Sequence, residues 1–190
     1  MKMPVRAFTL IELLIVVAII GILAAIAVPN FLNARTRALV ARTYGDMKAV
    51  RDAFQMYRLD NGDWVPDYDG IGAASGSEFR TYVALTTPVA YMSSIPLDVW
   101  VRNDEFRLIQ GKSVAYYEYW GYKSGGVARL EACNRYGLGY AMRSIGPDHA
   151  LQWNSDFDAL GRGERSFAYS SSNGLTSLGD ILATNLGVME

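Results

Sequence analysis

The residues best placed to do chemistry lie at the amino-terminal end. Glu12 puts one carboxylate inside the run FTLIELLIVVAIIGILAAIAV, Phe8 to Val28, where the only other polar side chain is Thr9. The small residue Ala7 stands immediately before that run. A secretory signal carries its small-residue cleavage site after the apolar core, so a cut between Ala7 and Phe8 would leave the apolar segment attached to the protein. A carboxylate on a membrane helix costs roughly 2.5 to 3.5 kcal/mol unless it is partnered. Cleavage before Phe8 would free an α-amino group one helical turn from Glu12, and a neighbouring copy displaced along its axis would present that amine to the carboxylate. At about 4 Å and an effective dielectric of about 20 the attraction is roughly 4 kcal/mol before desolvation is subtracted. That makes Glu12 a register device between copies. The competing reading is a side chain that reaches back to the headgroups near the helix start.

Elsewhere the reactive residue types are sparse. His149 is the sole histidine, and Ser144 and Asp148 lie near it only in sequence, whereas a catalytic triad is defined by spatial geometry. There is one cysteine, Cys133, so no intramolecular disulfide and no cysteine pair for zinc, and no phosphate-cradling glycine loop. These absences argue against an enzyme. Asp67-Tyr68-Asp69-Gly70 has part of a calcium-loop pattern but lacks its remaining ligand spacing and closing glutamate. The aromatic group Tyr116, Tyr117, Tyr119, Trp120 and Tyr122 suits packing within a sheet, with a sugar or a base as the less common use.

The elements that position these residues follow from pattern. At 190 residues, 51% of them hydrophobic, the chain has room for one compact domain and an added element. A net charge of -1 supplies no general field to draw nucleic acid. The leader, residues 1–7, carries Lys2 and Arg6 and no acid, which places the amino terminus in the cytoplasm and everything after Val28 across the membrane. Residues 8–28 are long enough to span a bilayer as a helix. Pro29 removes one backbone donor, but 29–60 contains no other proline and only Gly45, which predicts a continuing helix. Val40, Tyr44, Met47, Val50, Phe54 and Tyr57 form an apolar stripe at steps of three and four, opposite Arg35, Arg42, Lys48 and Asp52. Asp60-Asn61-Gly62 ends it. From residue 61 to 190 the pattern is that of a globular head. It opens with an exposed loop over 63–77 and a short helix over 77–84, followed by strands over 114–120, 139–145 and 166–170. The expected fold is α+β: a long amino-terminal helix, first transmembrane and then amphipathic, packed on a small antiparallel sheet.

Ala7-Phe8-Thr9-Leu10-Ile11-Glu12 with its long apolar run resembles the signature of type IV prepilin-like proteins. Leu85-Thr86-Thr87-Pro88, Ser94-Ile95-Pro96-Leu97-Asp98, Ser144-Ile145-Gly146-Pro147-Asp148, and Asn173-Gly174 with Gly179-Asp180-Ile181 resemble landmarks of the G-type major pseudopilins of type II secretion. The resemblance implies a pilin-like fold, cleavage by a prepilin peptidase between Ala7 and Phe8, and N-methylation of Phe8. It also implies roles in filament assembly for Phe8, Glu12 and Pro29, and a calcium site built from Asp148, Asp156 and Asp158. The implied protein is a non-enzymatic, single-pass inner-membrane subunit with a periplasmic head. It would polymerise with copies of itself and with minor pseudopilins on an inner-membrane assembly platform, and contact membrane lipid. Two alternatives stay open: a surface type IV pilus subunit for adhesion, motility or DNA uptake, and a solitary membrane-tethered binding module.

Overall fold

The computed structural model describes residues 8–67, 81–101, 116–122, 126–150, 156–164, 168–170, 172, 175 and 178–188. Two compact units divide the chain, Met1–Ala38 and Leu39–Glu190. Helix α1 runs Leu10–Asn61, with Pro29 inside it, as the continuous pattern predicts. After it come strand β1 (Glu118–Gly121), helix α2 (Gly126–Tyr136), strand β2 (Tyr140–Ser144), helix α3 (Phe157–Gly161), strand β3 (Ile181–Thr184) and strand β4 (Gly187–Val188). The strands form one antiparallel sheet in the order β1-β2-β3-β4. This is the expected α+β, pilin-like architecture.

In the first unit α1 has no side to hide. Leu10, Ile11, Leu13, Ile20, Ile22, Leu23 and Ile26 are all exposed, and none of its most apolar 18-residue window is buried. A helix apolar on every side needs lipid or other helices around it. In the second unit the stripe takes effect: Val40, Met47, Val50 and Phe54 are buried, and Tyr44 and Tyr57 are half-buried against the same core. Thr43 and Ala53 join them. Thr43 is tolerated because its hydroxyl donates to Leu39 O (3.1 Å) and accepts from Trp100 Nε1 (2.8 Å). The helix stops where expected. Gly62 has φ +75° and its N–H donates to Arg58 O at 2.8 Å, while Arg58 lies over the Trp64 ring at 4.4 Å.

The period of two along the strands divides the head into two cores. Tyr119, Tyr140, Met142, Ile181 and Ala183 face α1, and Phe54 sits 4.9 Å from the Tyr119 ring, 5.0 Å from Tyr140 and 6.0 Å from Tyr82. Ala141 and Leu182 face the other way, against Ala132 and Cys133 of α2, Phe157 and Leu160 of α3, and Leu138 and Ala168. Burial pushes the Cys133 thiol up to about 11, as suits a packed, unreactive sulfur. The Trp64 ring packs on Gly139, where any Cβ would come 2.0 Å from the indole nitrogen.

Buried charge tightens this sheet. Arg143 faces its register partner Glu118 in an ion pair, lies 3.7 Å from Asp180 and stacks 4.8 Å over the Trp120 ring. Removing the arginine would take an ion-pair partner from buried Asp180 and half-buried Glu118, a loss of about 3–5 kcal/mol. Asp98 is also buried, and accepts from Trp100 N–H (3.1 Å) and Ile145 N–H (3.3 Å). Burial pushes its carboxyl up, against the downward pull of those bonds, the Ser144 hydroxyl and His149.

The sequence reading is corrected in several places. Residues 63–67 are not an exposed loop: Trp64, Val65 and Asp67 are buried, and Tyr119 Oη donates to Val65 O at 2.7 Å. The Asp67 carboxylate accepts from Gly121 N–H at 2.9 Å, which gives it a structural use in place of the calcium-loop one, and Asp69 and Gly70 lie outside the described residues. Of the expected helix over 77–84, residues 81–83 are helical and 77–80 lie outside the described residues. Of the expected strand over 166–170, residues 166 and 167 lie outside the described residues, and among 168–170 Ala168 makes a parallel bridge with Asp180. Gly179 makes that bridge possible. Its φ is +131°, and a Cβ there would meet the Ala168 carbonyl carbon at 2.5 Å.

Two predictions follow from this packing. Phe54→Ala is expected to cost about 3–5 kcal/mol in denaturant unfolding of the detergent-solubilised chain, whereas Leu59→Ala, at a position 84% exposed, should stay within about 0.5. Because the folded state holds the Asp98 proton more tightly than the unfolded chain does, its contribution is full below about pH 4 and is lost as pH rises through the raised folded value. Asp98→Ala should flatten that part of the stability-versus-pH curve, and lower stability by about 2 kcal/mol by orphaning the Trp100 and Ile145 N–H groups.

Candidate assembly site

The start of α1 is organised by three residues. Thr9 precedes the first helical residue, and its N–H donates to Glu12 Oε2 at 2.9 Å. Its hydroxyl donates to the same oxygen at 2.6 Å, and Glu12 N–H donates back to Thr9 Oγ1 at 3.3 Å. This is a reciprocal capping box, in which two side chains satisfy backbone donors that the first helical turn leaves open. Leu13 N–H completes the turn onto Thr9 O at 3.3 Å. The carboxylate also sits at the positive end of the helix dipole.

Thr9 is the functional residue that the sequence reading missed. Its signal was present, since Thr9-x-x-Glu12 is the capping-box spacing, but the threonine reads as a mere exception to apolarity when attention rests on the span. Among the described residues, both Thr9 donors converge on Oε2 and no donor reaches Oε1. Among the described residues the arrangement therefore meets half of the carboxylate's needs and leaves Oε1 open to a further donor. Phe8 stands beside it, 72% exposed. Ala7 lies outside the described residues. Pro29 lies inside the helix, within the first unit.

The three aspartates expected to hold calcium each have partners within the protein. Asp148 accepts from Ala150 N–H and Gly179 N–H, each at 3.3 Å. Asp156 caps α3, accepting from Asp158 N–H (3.0 Å) and Ala159 N–H (2.9 Å). Asp158 faces Arg135 at 3.3 Å and Arg162 at 3.4 Å. Among the described residues these carboxylates form no group of three able to hold a metal ion. Ser144, Asp148 and His149 also spend their hydrogen bonds separately. Ser144 serves Asp98 and Gly146, and His149 Nδ1 meets Trp100 O at 2.8 Å. The aromatic group is mostly core, since Tyr117 and Tyr119 are buried and Tyr116, Trp120 and Tyr122 pack at its margins.

Residues 2–28 match the family model of the prokaryotic N-terminal methylation motif. The type II secretion system core protein G of Escherichia coli K12 is 30% identical over 112 residues, which cover 58% of this chain and 77% of that protein. The chain belongs to the type II secretion system core protein G family. The core protein G of Klebsiella pneumoniae is 31% identical over 96 residues, 50% of this chain and 69% of the other. The type IV major pilin protein PilE of Neisseria gonorrhoeae is 40% identical, but over 75 residues that make up 45% of its length. The match to core protein G thus extends over more of both chains than the match to the pilin does. No solved structure gives a significant match.

Loss of the cap has a measurable consequence. Thr9→Val is expected to weaken the first turn by about 1 kcal/mol, which is roughly fivefold faster amide hydrogen exchange at Glu12 and Leu13 in micelles, with exchange in the head unchanged.

Proposed function

We propose that this chain is a major pseudopilin of core protein G type. It is cleaved between Ala7 and Phe8 by a prepilin peptidase, N-methylated at Phe8, and added repeatedly to a short filament that rises from the inner membrane into the periplasm and supports protein export. The observation that carries the reading is the Glu12 carboxylate, bonded through one oxygen among the described residues, at the head of a helix whose apolar first part is exposed. An uncovered apolar helix is stable in lipid. Packed against copies of itself it is equally dry, so extraction from the bilayer into a filament exposes no new apolar surface to water. The freed amino group of Phe8 on an adjacent copy supplies the donor that Oε1 lacks, and so fixes the axial step between copies.

Membrane insertion and assembly make opposite demands on Glu12, which gives the test its direction. Glu12→Ala removes a cost in the bilayer, so the variant should insert and fold at least as well as the parent while filament cross-linking and export fall to background. The amino-terminal peptide of the parent should begin at a methylated Phe8 by mass spectrometry. Uncleaved chain throughout purified membranes, or undiminished assembly of the alanine variant, would overturn the proposal. The similarity to PilE favours a second reading, a surface pilus subunit, by the same amino-terminal chemistry. Filaments containing this subunit that shear from whole cells would select it, and exported enzymes trapped in the periplasm of a deletion strain would select the pseudopilus.

A further inference from the structure

The segment that follows Gly146-Pro147-Asp148 is where the family resemblance implies calcium, and there the described carboxylates already have protein partners. Calcium takes six to eight oxygens at about 2.3–2.6 Å. Binding through Asp156 would compete with the cap on α3, whose Oδ1 holds two backbone N–H groups. Binding through Asp158 would displace two guanidinium groups, one from α2 and one from the turn after α3. Arg135 and Arg162 together bring the same formal charge as one calcium ion, and they bring it on the chain itself. Asp148 pins its own turn to Gly179, just before β3.

What holds this segment is apolar. Phe157 and Leu160 are buried beside Ala132, Cys133 and Leu138, with Arg129 over the Phe157 ring at 5.0 Å. Gly161 admits the Tyr136 ring, which would lie 2.1 Å from a Cβ at that position. The ion pairs of Asp158 are about half exposed, so they orient α3 and add little to its stability. We infer that the head closes the loop between β2 and β3 without a divalent metal, by burying Phe157 and Leu160 against α2 and by using Asp156 and Asp158 as a helix cap and an arginine partner.

The test compares thermal unfolding of the full chain in detergent, followed by tryptophan fluorescence, in EGTA and in calcium chloride at about 10 mM, above the range of weak protein calcium sites. The expected midpoints agree within about 1 °C, whereas a site filled a hundredfold over its Kd would raise the midpoint by roughly 5–10 °C. Phe157→Ala should lower the midpoint by roughly 6–20 °C, and the pair Arg135→Gln with Arg162→Gln by under about 4 °C. A saturable calcium-dependent rise that disappears in Asp158→Asn would overturn the inference, as would a Phe157→Ala variant as stable as the parent. Should Phe157→Ala not fold, the calcium comparison on the parent chain decides alone. Neither result bears on filament assembly, which rests on the other end of the molecule.

Discussion

One carboxylate governs how this chain can be used. Glu12 lies at the start of a helix whose first part is apolar all round, where an unpartnered charge costs a few kcal/mol. The capping box with Thr9 lowers that cost without removing it, because both of its donors go to one oxygen and, among the described residues, none goes to the other. A fully satisfied Glu12 would leave the helix content as a lone anchor. An unassisted one would oppose insertion. The observed arrangement lies between these limits, which is what a subunit that must first reside in a bilayer and then leave it for a polymer requires.

The head is built to make its stretch of α1 rigid. Phe54 is ringed by Tyr82, Tyr119 and Tyr140, and those tyrosines belong to three separate parts of the chain after α1. Their hydroxyls extend the same logic outward: Tyr119 ties Val65 to the sheet at 2.7 Å, and Tyr82 holds the Tyr117 carbonyl. Large rings supply buried area, and their polar tips fix the connecting segments that have no regular structure of their own.

Much of this was legible from residue order and some was not. The α1 stripe could be read because six large side chains repeat at helical spacing and nothing but Pro29 and Gly45 interrupts them. Thr43 and Ala53 escaped because one is polar and the other small, and their burial depends on Trp100 and the sheet arriving above them. Strand β2 could be read from its alternation, but β3 has only four residues, all buried, and such a run carries no period of two. Helices α2 and α3 were missed for a related reason. Their apolar residues, Ala132, Cys133, Phe157 and Leu160, are few, and each helix is stable only through the other and through the back of the sheet. Among the assembly residues the carboxylate was evident from its cost, whereas Thr9 becomes visible only when its two hydrogen bonds are drawn.

The aspartates after Gly146 show how far a motif carries geometry. Gly146-Pro147-Asp148 does form the turn its residues suggest, with φ +78° at Gly146 and the Asp148 carboxylate folded back on its own backbone. The later pair behaves differently because of what lies between its members. Separating Asp156 from Asp158 by a single apolar residue puts Phe157 at the first position of a helix, where its ring enters the core behind the sheet. Once that ring is anchored, Asp156 falls at the cap and Asp158 one turn before Arg162, so their partners are set by helical spacing. One buried phenylalanine thus sets where both carboxylates lie, because burial of a ring of that size outweighs exposed pairings worth a fraction of a kcal/mol each.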